Sequence, residues 1–212
     1  KMYWGDLGGN VWRADTSDAS VANWKVTRVA RLGCNSGECS SGTTPRKFFF
    51  PPAILSVRPA GDVNSYEAVS IVSGDREHPL RDTASQSSYN VQDKFFMVKD
   101  VGTTVGAPSG APKTQDVTAS DSDLFNATSV LYDGTKKGFY ITLVGGGTTD
   151  TKGEKGVNAP VAVNGQIFFS TNRPTPPSNT CAANLGEAKA YTVSPFNGKQ
   201  ARNILQGRGL PP

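Results

Sequence analysis

Apolar and polar positions alternate with a period of two along most of this chain, and no stretch of a dozen residues repeats at the helical spacing i, i+3, i+4, i+7. Residues 2–5 and 10–15 pair as a first hairpin around the turn "DLGG". "WKVTRVARL" (24–32) sets Trp24, Val26, Arg28 and Arg31 against small or apolar neighbours, as a half-buried strand does. "FFFPPAILSVRP" (48–59) and "YEAVSIVSG" (66–74) follow, the second dense enough in β-formers to be an inner strand. "KFFMVKD" (94–100) and "GFYITLVGG" (138–146) repeat that character. "APVAVNGQIFFSTN" (159–172) places Asn164-Gly165 between two alternating runs, a strong hairpin signal, and "AKAYTVSPFNGK" (188–199) closes the series.

Between the strands lie two long, low-complexity segments, 101–123 and 171–186, expected to be surface loops. The only helical candidate is 123–133, with Leu124, Ala127 and Leu131 on one side, and its Thr, Ser and Val content makes it marginal. Short strands recurring in this order fit repeated four-stranded sheets better than a single sandwich. The expected fold class is therefore all-β, part of a modified β-propeller of about two to three blades at roughly 40–50 residues each. A ring takes at least about four blades, so residues 1–212 are expected to be a fragment of a larger propeller domain. In a fragment, residues 2–15 and 204–210 would pair with, or pack on, the remainder of the parent chain or a neighbouring molecule.

Composition narrows the function. The net charge of +4 comes from Lys and Arg scattered among acids, with no basic run and no aromatic-basic stripe, which argues against nucleic acid as a partner. No apolar segment approaches the roughly 18 residues of a membrane span. Of the three cysteines, Cys34 and Cys39 flank a Gly-containing tetrapeptide, and their spacing predicts a disulfide at a hairpin tip, with reduced thiols as the alternative. A zinc site would want Cys-x-x-Cys pairs or clustered His, and the chain has one His. Cys181 is left over, either free or paired outside these residues. The set favours an oxidising compartment.

Four constellations carry candidate chemistry. "SGDREHPL" (73–80) gathers Asp75, Arg76, Glu77 and His78, enough for a base and its orienting acid, but no nucleophile motif accompanies them. The reading adopted is a loop in which Arg76 pairs with a carboxylate and Pro79 stiffens the exit. Asp121, Asp123 and Asn126 offer oxygen ligands, yet an EF-type loop would want Gly at Asn126 and an acid at Tyr132, so helix capping by Asp121 or Asp123 is expected instead. "GDLGGN" (5–10) precedes no helix, so its glycines serve a turn and cradle no phosphate. Trp4, Trp12 and Trp24 could stack on a sugar or flat cofactor, but wedge-filling between blades is preferred. The sequon Asn126-Ala127-Thr128 is taken as chance.

"MYWGDLGGNVWRAD" (2–15) resembles the Tyr-x-Gly-Asp-Leu-x-Gly-Asn-x-Trp-Arg-x-Asp signature of the PilY1-type proteins of type IV pili, through Tyr3, Gly5, Asp6, Leu7, Gly9, Asn10, Trp12, Arg13 and Asp15. "VSGDREHPL", "DKFFMVKD", "SDLFNATSVL", "KGFYITL", "FFSTNRPTPPSNTCAANLG", "AKAYTVSPFNGK" and "GRGLPP" resemble segments of that family's C-terminal domain in the same order. The resemblance implies a secreted, non-enzymatic protein at the pilus tip, outer membrane or cell surface of a Gram-negative bacterium. It implies minor pilins, or a host or abiotic surface, as partners, and roles in pilus extension against retraction, twitching motility and adhesion. Family members carry a calcium loop just ahead of the signature. In this numbering that loop would precede Lys1, so calcium belongs to the parent protein and no numbered residue is assigned as its ligand. Two alternatives are a quinoprotein-type propeller dehydrogenase and a glycan-binding propeller. The dehydrogenase is disfavoured by Val193, where its repeat would have Asp, and by the lack of adjacent cysteines.

Overall fold

The structure, a computed structural model, describes residues 1–58, 65–78, 90–103, 116–144, 153–173 and 186–203. Three small sheets make up the fold, the first of them completed by a strand that comes between strands of the second. The first holds β1 (Met2–Gly5), β2 (Asn10–Asp15), β3 (Lys25–Arg31) and β7 (Val117–Thr118), in the order β1-β2-β3-β7. The second holds β4 (Ala53–Val57), β5 (Tyr66–Val72), β6 (Lys94–Asp100), β8 (Phe125–Asn126) and β9 (Gly138–Thr142), in the order β4-β5-β6-β9-β8. In the third, β10 (Lys155–Gly156) and β11 (Val161–Val163) both pair with β12 (Gln166–Arg173), which continues to β13 (Glu187–Val193) and β14 (Gln200–Asn203). Pairing is antiparallel except for β3 with β7 and β8 with β9. Among the described residues there is no α-helix, only 3₁₀ turns such as Val21–Asn23 and Val101–Thr103.

The second sheet is the middle layer, and its alternation explains the stack. Ala68, Val72, Phe95, Met97, Phe139 and Ile141 face the third sheet and share a core with Ile167, Phe169, Tyr191 and Val193. Their neighbours in sequence, Val69, Ile71, Phe96, Val98 and Tyr140, face the first sheet and pack with Val11, Val29, Ala30, Leu32 and Phe48. A strand buried on both faces needs apolar residues at every position, which is why β5 and β6 read as continuous runs. Phe95, Phe169 and Tyr191 form a parallel column across the second seam, with centroids 4.8 and 4.9 Å apart.

Two sequence expectations are corrected. The helix over 123–133 is absent: Leu124 is buried in the first-sheet core and Ala127 in the core on the opposite side, so the segment wraps around the edge of the middle sheet. A helix would have kept both on one stripe. Asp123 accordingly caps no helix and accepts from the Thr118 backbone and hydroxyl and from Lys137 Nζ, while Asp121 accepts from the Tyr140 hydroxyl. Nor is 101–123 all surface loop, because β7 and the buried Val117 and Ala119 complete the first sheet. Likewise Thr171–Arg173 belong to β12. The remaining parts of these loops, 104–115 and 174–185, with Cys181, and the segments 79–89 and 204–212 lie outside the described residues.

Local turn chemistry explains the hairpins. Asn164 and Gly165 have φ of 48° and 74°, the pair of left-handed residues that a two-residue hairpin turn requires. Cys34 and Cys39 are joined, with Cα atoms 5.3 Å apart, beside the bridge between Cys34 and Gly37. Closing so short a loop restricts the unfolded chain only modestly. Reduction is expected to cost about 2 kcal/mol of stability, read as a lower urea midpoint in reductant. Thiol titration in denaturant that found all three cysteines reactive would contradict the bond.

Candidate functional site

The first hairpin is organised by one carboxylate. Asp6 Oδ1 accepts from the backbone and side-chain amides of Asn10 at 2.8 and 3.2 Å. Its Oδ2 accepts from Asn10 Nδ2 at 3.0 Å and from Trp12 Nε1 at 2.8 Å. Burial opposes ionisation of Asp6, but the bonds from Trp12 and Asn10 outweigh it and hold the carboxyl below its ordinary range. Gly9 has φ of 81°, and a Cβ there would lie 2.2 Å from Gly33 Cα, so the turn is pressed against the β3 end in a way only glycine permits. Gly5 leaves the space that Phe48 fills, since its Cβ would fall 2.5 Å from Phe48 Cβ.

Tyr3 and Arg13 are cross-strand partners and point inward together. Arg13 Nη1 lies 2.6 Å from both oxygens of Asp100 on β6, and the Tyr3 hydroxyl donates to Oδ2 at 3.0 Å. Gly102 N closes the set at 3.0 Å. The signature thus builds a turn with one half of its residues and clamps the first sheet to the second with the other. Leu7 stays exposed, and Asp15 accepts from the Ser17 amide and hydroxyl.

The outward row of the same sheet is apolar. Met2, Trp4 and Val26 are exposed, Trp4 stands opposite Trp12, and Arg28 lies over the Trp12 ring at 5.9 Å. Trp4 is 37% and Trp24 47% exposed. Among the described residues Trp4 and Trp24 fill no wedge between sheets, and Trp24 donates Nε1 to the Asp18 carbonyl at 3.0 Å. What fills the seam instead is Phe48, Phe96 and Leu32.

The "SGDREH" cluster is rearranged too. Asp75 is buried and takes Lys47 Nζ at 2.6 Å, with the exposed His78 ring at 3.4 Å. Arg76 lies over the Phe50 ring at 5.7 Å, which replaces the carboxylate pairing expected for it. Among the described residues no group of three or more His, Cys, Asp or Glu is placed to hold a metal.

Sequence inspection missed a line of buried charge between the middle and third sheets. Glu154, just before β10, accepts from Thr171, Tyr191 and Lys189 at 2.7, 2.5 and 2.8 Å. The adjacent Lys155 turns the other way, 3.6 Å from Asp93, which also takes the Ser73 hydroxyl at 2.7 Å. Burial pushes Asp93 up and Lys155 down, each opposed by the other's charge. The signal was a charge inside an apolar run, as in "DKFFM" and "AKAYTV", whose partners lie far off in sequence.

Asp6→Ala is expected to strip Asn10 and Trp12 of their acceptor and cost about 1–2 kcal/mol in urea unfolding. Because the folded pKa lies below the unfolded one, this contribution is present above the ordinary carboxylate range and lost as pH falls through the folded value. The wild-type advantage over Asp6→Ala should therefore shrink in acid.

No family model matches the sequence, and no curated protein matches it. Among solved structures the chain is similar to the crystal structure of the Pseudomonas aeruginosa PilY1 C-terminal domain, with a TM-score of 0.60 at 17% identity. The likeness covers 92% of this chain and 43% of that one, so the chain spans less than half the length of its structural relative. The all-β fold in successive sheets is that of this domain.

Proposed function

We propose that residues 1–212 are part of the C-terminal propeller of a PilY1-type protein and serve, without catalysis, in type IV pilus biogenesis. The observation that carries this reading is the first hairpin. Most residues of the signature, Tyr3, Gly5, Asp6, Gly9, Asn10, Trp12 and Arg13, build the Asp6 turn or the Arg13–Asp100 clamp, on a fold shared with a pilus protein at low identity. A signature whose members hold structure in place fits an assembly module better than an enzyme, where polar groups would converge on a cleft. In this reading the protein is displayed at the cell surface or pilus tip, its partners are minor pilins, and calcium binds in the parent chain outside these residues.

The test is genetic. Deleting the gene in its piliated host should remove surface pili, and deleting the retraction ATPase as well should restore them. Pili that persist in the single deletion would overturn the role in extension against retraction. The exposed Trp4 and Trp24 favour a second reading, contact with glycans. Binding on a glycan array that is lost in Trp4→Ala would support it.

A further inference from the structure

The described residues bury five cations: Arg13, Arg46, Lys94, Lys155 and Lys189. Three have a carboxylate of their own, Arg13 with Asp100, Lys155 with Asp93 and Lys189 with Glu154. Arg46 and Lys94 do not. They are 6% and 5% exposed, and among the described residues neither lies within ion-pair distance of an acid. Buried charges are ordinarily paired, so two side by side with no acid in contact are an imbalance that needs an account.

Both converge on one atom. Arg46 spends Nε on the Gln92 carbonyl at 2.7 Å and Nη1 on the carbonyls of Leu32 and Gly33 at 3.1 and 3.3 Å. These bonds, with Phe96 6.0 Å beneath the guanidinium, hold it rigidly and leave Nη2 aimed at Asn35 Oδ1, 2.7 Å away. Lys94 Nζ stands 3.7 Å from the centre of the Tyr140 ring and donates to the same oxygen at 3.3 Å. Two donors meeting at a point identify it as the place of an acceptor oxygen. The occupant is neutral, and it belongs to an exposed residue of the Cys34–Cys39 loop.

We propose that Arg46 and Lys94 form a receptor for a small oxyanion, a carboxylate or a phosphate, one oxygen of which takes the position held by Asn35 Oδ1. The amide satisfies the geometry of the site but brings no charge, and Asp93 and Asp121 act on Arg46 and Lys94 only from beyond ion-pair distance. An oxyanion satisfies both, and a charge-assisted bond to each cation is stronger than the amide's. The acids nearby contact other groups: Asp93 takes the Ser73 hydroxyl and faces Lys155, reaching Arg46 only at longer range, and Asp121 takes the Tyr140 hydroxyl. The state of Lys94 agrees, because burial and then the Arg46 charge bring its pKa down to about 8, only partly opposed by Asp121. The site goes beyond the pilus reading and does not depend on it.

The experiment follows the Lys94 side chain by NMR in chain selectively labelled at lysine Cε. Asn35→Asp, which places a carboxylate at the site, is expected to raise the Lys94 pKa from about 8 to above about 9. Asn35→Ala, which vacates it, is expected to give a Lys94 resonance that shifts saturably with inorganic phosphate or with acetate at constant ionic strength. Lys94→Gln in the same background should remove the accompanying rise in Tm. Saturation by phosphate alone assigns the site to a free oxyanion. A response to acetate as well as phosphate assigns it to a carboxylate, the group a partner's side chain would offer. Circular dichroism matching the wild type certifies each variant as folded. No saturable response to either anion in folded Asn35→Ala overturns the proposal, whatever the Lys94 pKa in Asn35→Asp.

Discussion

Phe169→Ala is expected to lower the unfolding free energy by about 3–5 kcal/mol, whereas Phe168→Ala, one residue away, loses less than about 1 kcal/mol. Phe169 is 2% exposed and stacks on Phe95 from one side and Tyr191 from the other, so its removal opens a ring-sized hole in the column joining the middle and third sheets. Phe168 is 42% exposed and faces outward opposite Val161. Urea unfolding of the two variants checks the contrast. Equal losses would mean that Phe168 is buried as deeply as Phe169, and a reversed contrast that β12 has its faces exchanged.

Arg13→Ala should be as damaging for a different reason. It takes the guanidinium away from Asp100, which is almost wholly buried, and breaking a buried ion pair from one side costs about 3–5 kcal/mol. Replacing both partners, Arg13→Met with Asp100→Leu, should recover much of that loss, because neither ion then has to be desolvated. The difference between the double variant and the sum of the singles measures the pair. A loss below about 1 kcal/mol in Arg13→Ala would mean that the clamp is open to water.

Elements set by near neighbours were legible in the sequence. The first hairpin and the Asn164-Gly165 hairpin lie at the residues expected, because φ-permissive turn residues and alternation act over a few positions. Strands β5, β6 and β9 of the middle sheet were legible from their dense runs of β-formers, since burial on both faces leaves no polar register. Long-range partners were not. Val117–Thr118 is too short to stand out from its Gly- and Thr-rich surroundings, and it is a strand only because β3 offers an edge. Leu124 and Ala127 carry a helical spacing yet are claimed by different cores. At the candidate sites, the role of Asp6 is written in its own loop, whereas Asp100, Asp93 and Asn35 meet their cations through the fold alone.

Strand β7 also governs the order of events as the chain folds. The polypeptide lays down β1–β3, moves to the middle sheet for β4–β6, returns for β7, and leaves again for β8 and β9. The ladder from Ala30 to Val117 cannot form until the intervening segment has been made and brought back. The entropy of closing so large a loop grows slowly with its length, but non-local pairing of this kind delays folding into the range of milliseconds to seconds. During synthesis or threading through a membrane from the N-terminus, β3 would wait with an unpaired edge, a template for mispairing, until residue 118 arrived. The first sheet is thus begun first and finished late.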